Sequence, residues 1–175
     1  MQQGILSILV SNHFGVLTKI TGLFGRRGYN IKALSVGETE NPEVSRITVL
    51  TEGDPAQLEQ IYKQVCKLEE VRAAAILPEE QLIERELLLV KVCPGEKETG
   101  ALMELVTNSA AKAVAVPDGG VIIEASGRPE QINELVERIR LFGVVELSRT
   151  GVTALQATGK ALVDNAFQIG YSKFR

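Results

Sequence analysis

The amino-acid sequence predicts an α+β fold made of two ferredoxin-like βαββαβ-type domains in tandem. Short runs rich in Ile, Val and Leu alternate with amphipathic stretches, and this order occurs twice along the 175 residues. We expect a first domain over residues 1–78, a linker over 79–84, a second domain over 85–155 and a tail of unknown structure over 156–175. Each domain would form one antiparallel sheet with both helices on one face.

The first domain is predicted to contain four strands and two helices. Its first helix, over residues 15–27, has an apolar stripe at positions i, i+4 and i+7, and Gly28 is suited to end it. The second helix, over residues 55–68, begins with a proline, which is favoured at the first helical position. The strands are expected over residues 4–10, 30–39, 44–52 and 71–77.

The second domain repeats this order. Its strands are expected over residues 85–93, 112–116, 120–125 and 144–149, and its helices over 99–109 and 129–142. A fixed shift of 74 residues superimposes the second halves of the two domains. The matched pairs include Gly53 with Gly127, Pro55 with Pro129 and Gln57 with Gln131. The chain therefore contains a repeat of one fold rather than a short solenoid unit.

Composition and charge argue against several classes of protein. Lys and Arg number 19 against 22 Asp and Glu, a net charge of −3 that offers no electrostatic footprint for nucleic acid. No apolar run approaches the ~18 residues of a membrane span, and residues 1–10 lack the basic region of a signal peptide. We therefore expect a cytoplasmic protein that binds neither nucleic acid nor membrane, with Cys66 and Cys93 reduced. One histidine and no CxxC motif exclude the usual zinc and haem spacings.

No catalytic constellation is visible in the sequence. His13 is the only imidazole, and it stands in a polar turn where a solvated or capping role is favoured over catalysis. The two cysteines are expected to fill space rather than to act as nucleophiles. Glycines recur at every third residue from Gly22 to Gly28, but they lack the GxGxxG order of a phosphate-binding turn. Close packing of their helix on its sheet, or on another chain, is the predicted reason for them.

The turn after the first strand is the one candidate binding site. Asn12 is suited to cap the following helix, and Gly15 would let the backbone approach a ligand closely. Free N–H groups at a helix start favour a carboxylate. Both a simple capping role and a ligand-binding role fit this spacing. Asn30, at the start of the second strand, has the same two interpretations.

A longer pattern of residues runs through both halves. In the first half it comprises residues 5–10, Asn12, 15–17, 22–24, 27–31, 45–47, 58–61 and 67–68. In the second half it comprises residues 84–87, 89–91 and 149–151. This pattern, spread over residues 1–155, resembles the small regulatory subunits of acetolactate synthase, also called acetohydroxyacid synthase, whose N-terminal half is an ACT domain.

The resemblance implies that the chain itself catalyses nothing. It would bind and activate the large catalytic subunit and confer feedback inhibition by a branched-chain amino acid, most often valine. It would have no cofactor of its own, because the thiamine diphosphate, magnesium and FAD of the complex would belong to the catalytic partner.

The resemblance also implies an effector site between the ACT domains of a homodimer. One chain would contribute Asn12, Gly15, Val16 and Leu17, and the other would contribute Asn30 and Ile31. A helix start and asparagine side chains suit the carboxylate and ammonium of an amino acid, and apolar neighbours suit its side chain. The family does not fix positions 13 and 14, so the preference among valine, leucine and isoleucine stays open. The second domain has Pro94 and Gly95 where the first has its Asn-containing turn, which predicts no amino-acid site there.

Two other functions remain open at this point. The first is an ACT-type amino-acid sensor that regulates a different enzyme, or a transcription or uptake system. The second is a small ferredoxin-like enzyme that uses His13.

Overall fold

The computed structural model describes residues 2–117 and 119–162. The chain forms two compact units. Of the described residues, unit 1 contains 2–83 and 152–162, and unit 2 contains those within Glu84–Gly151.

Unit 1 is a four-stranded antiparallel sheet with two helices. The strands are β1 (Gln2–Ser11), β2 (Ile31–Glu38), β3 (Val44–Gly53) and β4 (Val71–Leu77), and the helices are α1 (Val16–Arg26) and α2 (Pro55–Val65). The sheet order is β2-β3-β1-β4, so β2 lies at one edge. Alternate apolar residues of the strands pack against the apolar stripes of both helices. The best-buried members of this core include Leu6, Ile8, Ile20, Phe24, Ile47 and Ile61.

The other face of this sheet is covered by the chain that returns from unit 2. A short strand, β9 (Thr153–Gln156), lies within this return segment, which we define as residues 152–162. Val152, Ala154 and Leu162 are buried there together with residues of β1 and β4, such as Ile5 and Ala73. The alternation of β1 explains this arrangement, because its odd-numbered residues point away from the helices.

Unit 2 repeats the architecture. Its strands are β5 (Leu82–Val92), which enters unit 2 at Glu84, β6 (Lys112–Ala115), β7 (Val121–Gly127) and β8 (Val144–Arg149), in the order β6-β7-β5-β8. Its helices are α3 (Thr99–Asn108) and α4 (Pro129–Ile139). Its core lies between the sheet and the two helices. The largest buried side chains there are Leu88, Leu102, Ile123, Ile132 and Ile139. The predicted α+β fold with two ferredoxin-like domains in tandem is confirmed.

The matched glycine and glutamine of the repeat have a structural reason. At the start of α2, Gln57 turns back and its side-chain oxygen accepts a hydrogen bond of 2.9 Å from the N–H of Asp54. Gln131 accepts the same bond at the start of α4, at 3.0 Å from Arg128 N. A Cβ atom at Gly53 or at the corresponding Gly127 would lie 3.1 to 3.2 Å from the nearest glutamine atom. Glycine therefore makes room for the capping side chain in both units.

The unit boundaries differ from the predicted domains at both crossings. The strand expected from residue 85 begins at Leu82, and a short 3-10 turn over Glu79–Gln81 precedes it within the expected linker. The second unit ends at Gly151 rather than at 155, because Val152 and Ala154 bury their side chains on the sheet of unit 1. Within the tail of residues 156–175, the apolar residues between 162 and 169 are spaced as in a helix that packs on the core or on a partner. Leu162 is buried in unit 1, and residues 163–169 lie outside the described residues. None of the described helices is long and apolar enough to cross a membrane.

Candidate functional site

The turn between β1 and α1 is tied to the hairpin that joins β2 and β3. The side-chain amide of Asn12 donates to the carbonyl oxygen of Pro42 at 2.9 Å and to Oε1 of Glu38 at 3.2 Å. Its backbone N–H donates to the Glu43 carbonyl oxygen at 2.7 Å. The prediction that Asn12 caps α1 is wrong, because Gly15 occupies the N-cap position and no side chain caps the helix. Asn12 instead holds the turn against the end of β2.

Gly15 starts α1 in a left-handed backbone conformation, with φ of 85°. This conformation favours glycine, because a Cβ atom would be strained there. The N–H groups of Leu17 and Thr18 donate no hydrogen bond to any described residue. The first turn of α1 therefore presents unused donors and the positive end of the helix dipole, the combination that binds carboxylates.

The apolar side chains around this turn have different surroundings. Val16 is buried in the core of unit 1, so it supports the turn from beneath. Leu17 is 43% exposed and is accessible to a ligand, and Phe14 is fully exposed. Leu17 and Phe14 are thus the side chains that can line a site at this surface.

The other predicted site residues lie at the start of β2. The carbonyl oxygen of Asn30 accepts a hydrogen bond from Thr51 Oγ1 at 2.7 Å, which fixes the backbone there. The exposed Asn30 side chain makes no hydrogen bond to any described residue. Ile31 is half-buried beside it. Asn30 therefore offers a polar group with no structural task of its own within the described part of the chain.

Within one chain, the two groups of site residues lie at opposite ends of the sheet. Ile31 is level with Thr51 of β3, which is level with Gly4 of β1. Ser11, beside Asn12, is seven residues further along β1, and at ~3.4 Å per residue the separation is ~24 Å. The structure brings Asn12, Gly15, Val16 and Leu17 together, and it keeps Asn30 and Ile31 apart from them.

The lysine nearest to this turn, Lys19, is already engaged in an ion pair. Lys19 of α1 donates to Glu70, whose side chain is almost fully buried just before β4. This hydrogen bond lowers the pKa of Glu70 and raises the pKa of Lys19. The Glu70 carbonyl oxygen also accepts from Ser11 N at 2.9 Å. Because Lys19 is already paired, a ligand carboxylate at the turn would depend on the free N–H groups of α1.

Glu38 and Glu70 are site residues that the sequence analysis missed. Both reach the turn across strand pairings 26 and more residues apart, so no local spacing signals them. The expected close packing of Gly22 and Gly25 on the sheet is also wrong. A Cβ at Gly22 would meet only the end of the Arg26 side chain, and one at Gly25 would meet no described atom within 4 Å. Gly28, in contrast, has φ of 71° and ends α1 as predicted.

Nothing in the described chain supports a catalytic centre. The His13 ring has one hydrogen-bonding neighbour among the described residues, the carbonyl oxygen of Phe14 at 3.1 Å. Residues 2–117 and 119–162 contain no group of three His, Cys, Asp or Glu that is able to hold a metal ion. At the corresponding turn of unit 2, the N–H of Gly95 already donates to Glu98 of the same chain at 3.0 Å. The fold thus defines a tandem ferredoxin-like protein, and in unit 1 the start of α1 presents unused N–H groups at the turn that follows β1.

Comparison with known proteins agrees with this class. Residues 6–73 match the family model described as an AHAS small subunit-like ACT domain, and residues 85–158 match the one described as the small subunit of acetolactate synthase. A probable acetolactate synthase small subunit of Archaeoglobus fulgidus is 38% identical over 151 residues, which cover 86% of this chain and 94% of that protein. The acetolactate synthase small subunit of Mycolicibacterium smegmatis is 37% identical, over 86% of this chain and 88% of its own length.

A solved structure matches most of the chain. The acetolactate synthase small subunit from Thermotoga maritima superimposes with a TM-score of 0.85 at 33% identity, covering 91% of this chain and 100% of that one. The chain belongs to the family of acetolactate synthase small subunits. It is a regulatory subunit of an enzyme complex rather than a catalytic chain.

Proposed function

We propose that this chain binds and activates the large catalytic subunit of acetolactate synthase and makes it sensitive to a branched-chain amino acid, with valine as the main effector. The chain would work as a homodimer in the cytoplasm and would carry no cofactor itself. The thiamine diphosphate, magnesium and FAD of the complex would belong to the catalytic partner. Family membership supports the partner, and the geometry of unit 1 supports the effector site.

The single observation that carries the effector site is the separation of its two halves. Asn12 and Asn30 lie at opposite ends of a sheet ~24 Å long, whereas an amino acid spans only a few ångströms. One valine cannot contact both asparagines of the same chain. If both groups bind it, the second group comes from another chain.

Antiparallel pairing of two β2 strands would bring the two groups together. β2 is an edge strand, so its outer N–H and C=O groups are available to a second copy. A two-fold axis through such a pair would set Ile31 of one copy beside the Glu38 end of the other. The side chain of Asn12 is hydrogen-bonded to Glu38. Asn30 of one chain would therefore arrive next to Asn12 of its partner.

The chemistry of these groups suits a zwitterionic, apolar ligand. The N–H groups of Leu17 and Thr18 would receive the carboxylate, and Asn12, Asn30 and the Glu38 carboxylate would hold the ammonium. The exposed Leu17 side chain would pack on the branched hydrocarbon part. A ligand shared between two chains would favour one geometry of the dimer, and the catalytic partner would respond to that geometry.

Calorimetric titration tests the effector site. L-Valine, with leucine, isoleucine and threonine as comparisons, is titrated into the purified full-length chain and into Asn12→Ala. We expect saturable binding of valine that is lost in Asn12→Ala, and a rise in melting temperature that follows RT ln(1 + [L]/Kd). Saturable binding that persists unchanged in Asn12→Ala would refute the proposed location.

Reconstitution tests the partner. The chain is mixed with the purified large subunit, loaded with its cofactors, and acetolactate formation is measured with and without valine. We expect co-elution, a higher rate, and inhibition by valine that Asn12→Ala removes. A chain that neither co-elutes with the large subunit nor changes its rate would favour the alternative, an amino-acid sensor of a different system.

A further inference from the structure

The face of the unit 1 sheet that lies opposite α1 and α2, which we call the outer face, carries a row of hydroxyl groups. Register places Ser7 of β1 opposite Thr48 of β3, and Thr48 opposite Ser35 of β2. Ser7 is 0% exposed and Thr48 is 1% exposed. Their neighbours on this face, such as Ile5 and Leu9, are apolar. The three hydroxyl groups therefore form a polar strip, the hydroxyl strip, within an otherwise apolar buried surface.

Arg46 of β3 is the charged neighbour of this strip. Its Nη1 atom donates to Ser7 Oγ at 2.6 Å, and this is its one hydrogen bond to the described residues. No carboxylate within residues 2–117 and 119–162 forms an ion pair with Arg46. Burial lowers the pKa of Arg46, and the charge of Glu40 offsets this effect only in part. A half-buried guanidinium with five N–H donors thus has a single neutral partner in the described chain.

A glycine leaves space beside the Arg46 side chain. Gly37 of β2 stands opposite Arg46 in the register, so both residues belong to the outer face. A Cβ atom at Gly37 would meet no described atom within 4 Å. Gly37 is exposed and β2 is the edge strand of the sheet. A small molecule can therefore reach Arg46 from the edge of the sheet, over Gly37.

From these observations we propose that Arg46 and the hydroxyl strip bind a small oxyanion, a carboxylate or a phosphate, on the outer face of unit 1. The guanidinium would supply two parallel N–H donors, which match two oxygens of such an anion. Thr48 lies two residues from Arg46 on the same face of β3, ~7 Å away. The hydroxyl groups of Ser7 and Thr48 donate no hydrogen bond to the described residues, so each has a proton to offer.

The proposed anion site goes beyond the proposed function. It lies on the outer face of the sheet, whereas the start of α1 belongs to the face that the helices cover. Its main group is a side-chain cation, whereas the effector turn offers backbone N–H groups and asparagine amides. We therefore expect Arg46→Gln to bind valine with the affinity of the wild type.

Titration with simple oxyanions tests the site in the full-length chain. Inorganic phosphate and acetate are titrated separately into the wild type, Arg46→Gln and the control Arg72→Gln, at an ionic strength held constant with sodium chloride. Arg72 is matched to Arg46 because its Nε atom donates to another serine hydroxyl of β1, Ser11 Oγ, at 3.2 Å, but Arg72 is exposed. Calorimetry should show saturable binding of at least one anion to the wild type and to Arg72→Gln, at equal affinity. Binding to Arg46→Gln should be at least about tenfold weaker.

Melting scans provide a second readout. In Tris chloride buffer, Arg46→Gln removes a half-buried cation without a counterion, so its melting temperature should equal or exceed that of the wild type. The anion that binds should then raise the melting temperature of the wild type by several degrees and that of Arg46→Gln by less than about one degree. Ser7→Ala keeps the positive charge and removes one hydroxyl group, and we expect its anion affinity to fall several-fold. Circular dichroism establishes that each variant is folded.

Other outcomes overturn the proposal. Absence of saturable binding of both anions to the wild type, or equal binding to Arg46→Gln, would exclude an anion site at Arg46. A loss of stability in Arg46→Gln that Asp164→Asn equals, with no further loss in the double variant, would instead pair Arg46 with a carboxylate of the chain itself. Valine titration reads the start of α1, and phosphate titration reads the outer face. Failure of the anion site is therefore distinguishable from failure of the proposed effector site.

Discussion

The hydroxyl of Ser35 on β2 donates a hydrogen bond of 2.8 Å to the carbonyl oxygen of Val152, 117 residues further along the chain. Val152 is fully buried and is the first residue of the return segment. Gly151 precedes it with φ of 74°, and Thr150 is bonded to Leu87 in both directions. β2, which begins beside Asn30, is thus fixed directly to the point where the chain leaves unit 2.

Loss of this hydrogen bond should lower the stability of unit 1 and weaken the inhibition of the catalytic partner by valine. Ser35→Ala leaves a buried carbonyl without its donor, and we expect the free energy of unfolding of unit 1 to fall by about 1 to 2 kcal/mol. Because β2 then moves independently of residue 152, valine should still bind, but its inhibition of the reconstituted enzyme should weaken. Urea denaturation and an inhibition curve measure the two effects.

The control for this change is Ser126→Ala, at an exposed position of β7. We expect its unfolding curve and its inhibition curve to match those of the wild type. A Ser35→Ala variant as stable as Ser126→Ala would show that the bond to Val152 contributes nothing.

The two asparagines of the proposed effector site should respond differently to removal. The Asn12 side chain makes two hydrogen bonds in its own chain, so Asn12→Ala should lower both valine affinity and stability, the latter by about 1 kcal/mol. The Asn30 side chain makes none to the described residues. Asn30→Ala should therefore keep the stability of the wild type within about 0.5 kcal/mol, while valine affinity falls roughly tenfold to a hundredfold.

Calorimetry and urea denaturation on the same preparations separate these effects. Wild-type valine affinity in Asn30→Ala would exclude Asn30 from the site and would remove the reason for a ligand shared between chains.

Two glycines of the same helix should give opposite results. Gly15 has a positive φ and a Cβ there meets no described atom within 4 Å, so the cost of Gly15→Ala is backbone strain of about 1 kcal/mol. Gly25 lies inside α1 with equally open surroundings, and Gly25→Ala should stabilise the helix by about 0.5 to 1 kcal/mol. Melting scans should give the lowest melting temperature for Gly15→Ala, an intermediate one for the wild type and the highest for Gly25→Ala. Equal melting temperatures for both variants would contradict this order.

Local periodicity predicts the four strands and two helices of each ferredoxin-like domain, because these elements have apolar patterns of their own. Pairing of distant segments was not predictable in the same way. The return segment contains a four-residue strand whose burial depends on Ile5 and Ala73, more than 70 residues away. Asn12 is similar, since spacing indicated a helix cap whereas its partners Glu38 and Pro42 come from a distant hairpin. Gly15 occupies the N-cap position, whereas the sequence predicts it only as a residue that lets the backbone approach a ligand closely.

The ion pair beneath the proposed effector turn should make unit 1 sensitive to acid. Its hydrogen bond to Lys19 lowers the pKa of Glu70 below the value of an unfolded glutamate, so this contribution to stability is present above that value and is lost as the pH falls through the folded pKa. The pKa of Lys19 is raised, so its contribution is present below the ordinary lysine pKa and is lost only as the pH rises beyond it. At neutral pH both contributions are present. Lys19→Gln should therefore lower the urea midpoint at pH 7, and the difference from the wild type should narrow as the pH falls below the ordinary glutamate pKa.

The matched control is Lys63→Gln on α2, where Lys63 pairs with Glu59 at 2.8 Å and both side chains are largely exposed. An exposed pair of this kind contributes about 0.5 kcal/mol or less and is screened by salt. Lys63→Gln should shift the urea midpoint little at either pH, because water already solvates both charges. Lys19→Gln should shift it more at pH 7, because Glu70 is almost fully buried and loses its counterion there. A gap between wild type and Lys19→Gln that stays constant from pH 7 to pH 3 would mean that packing of the lysine stem, rather than its charge, holds α1 to β4.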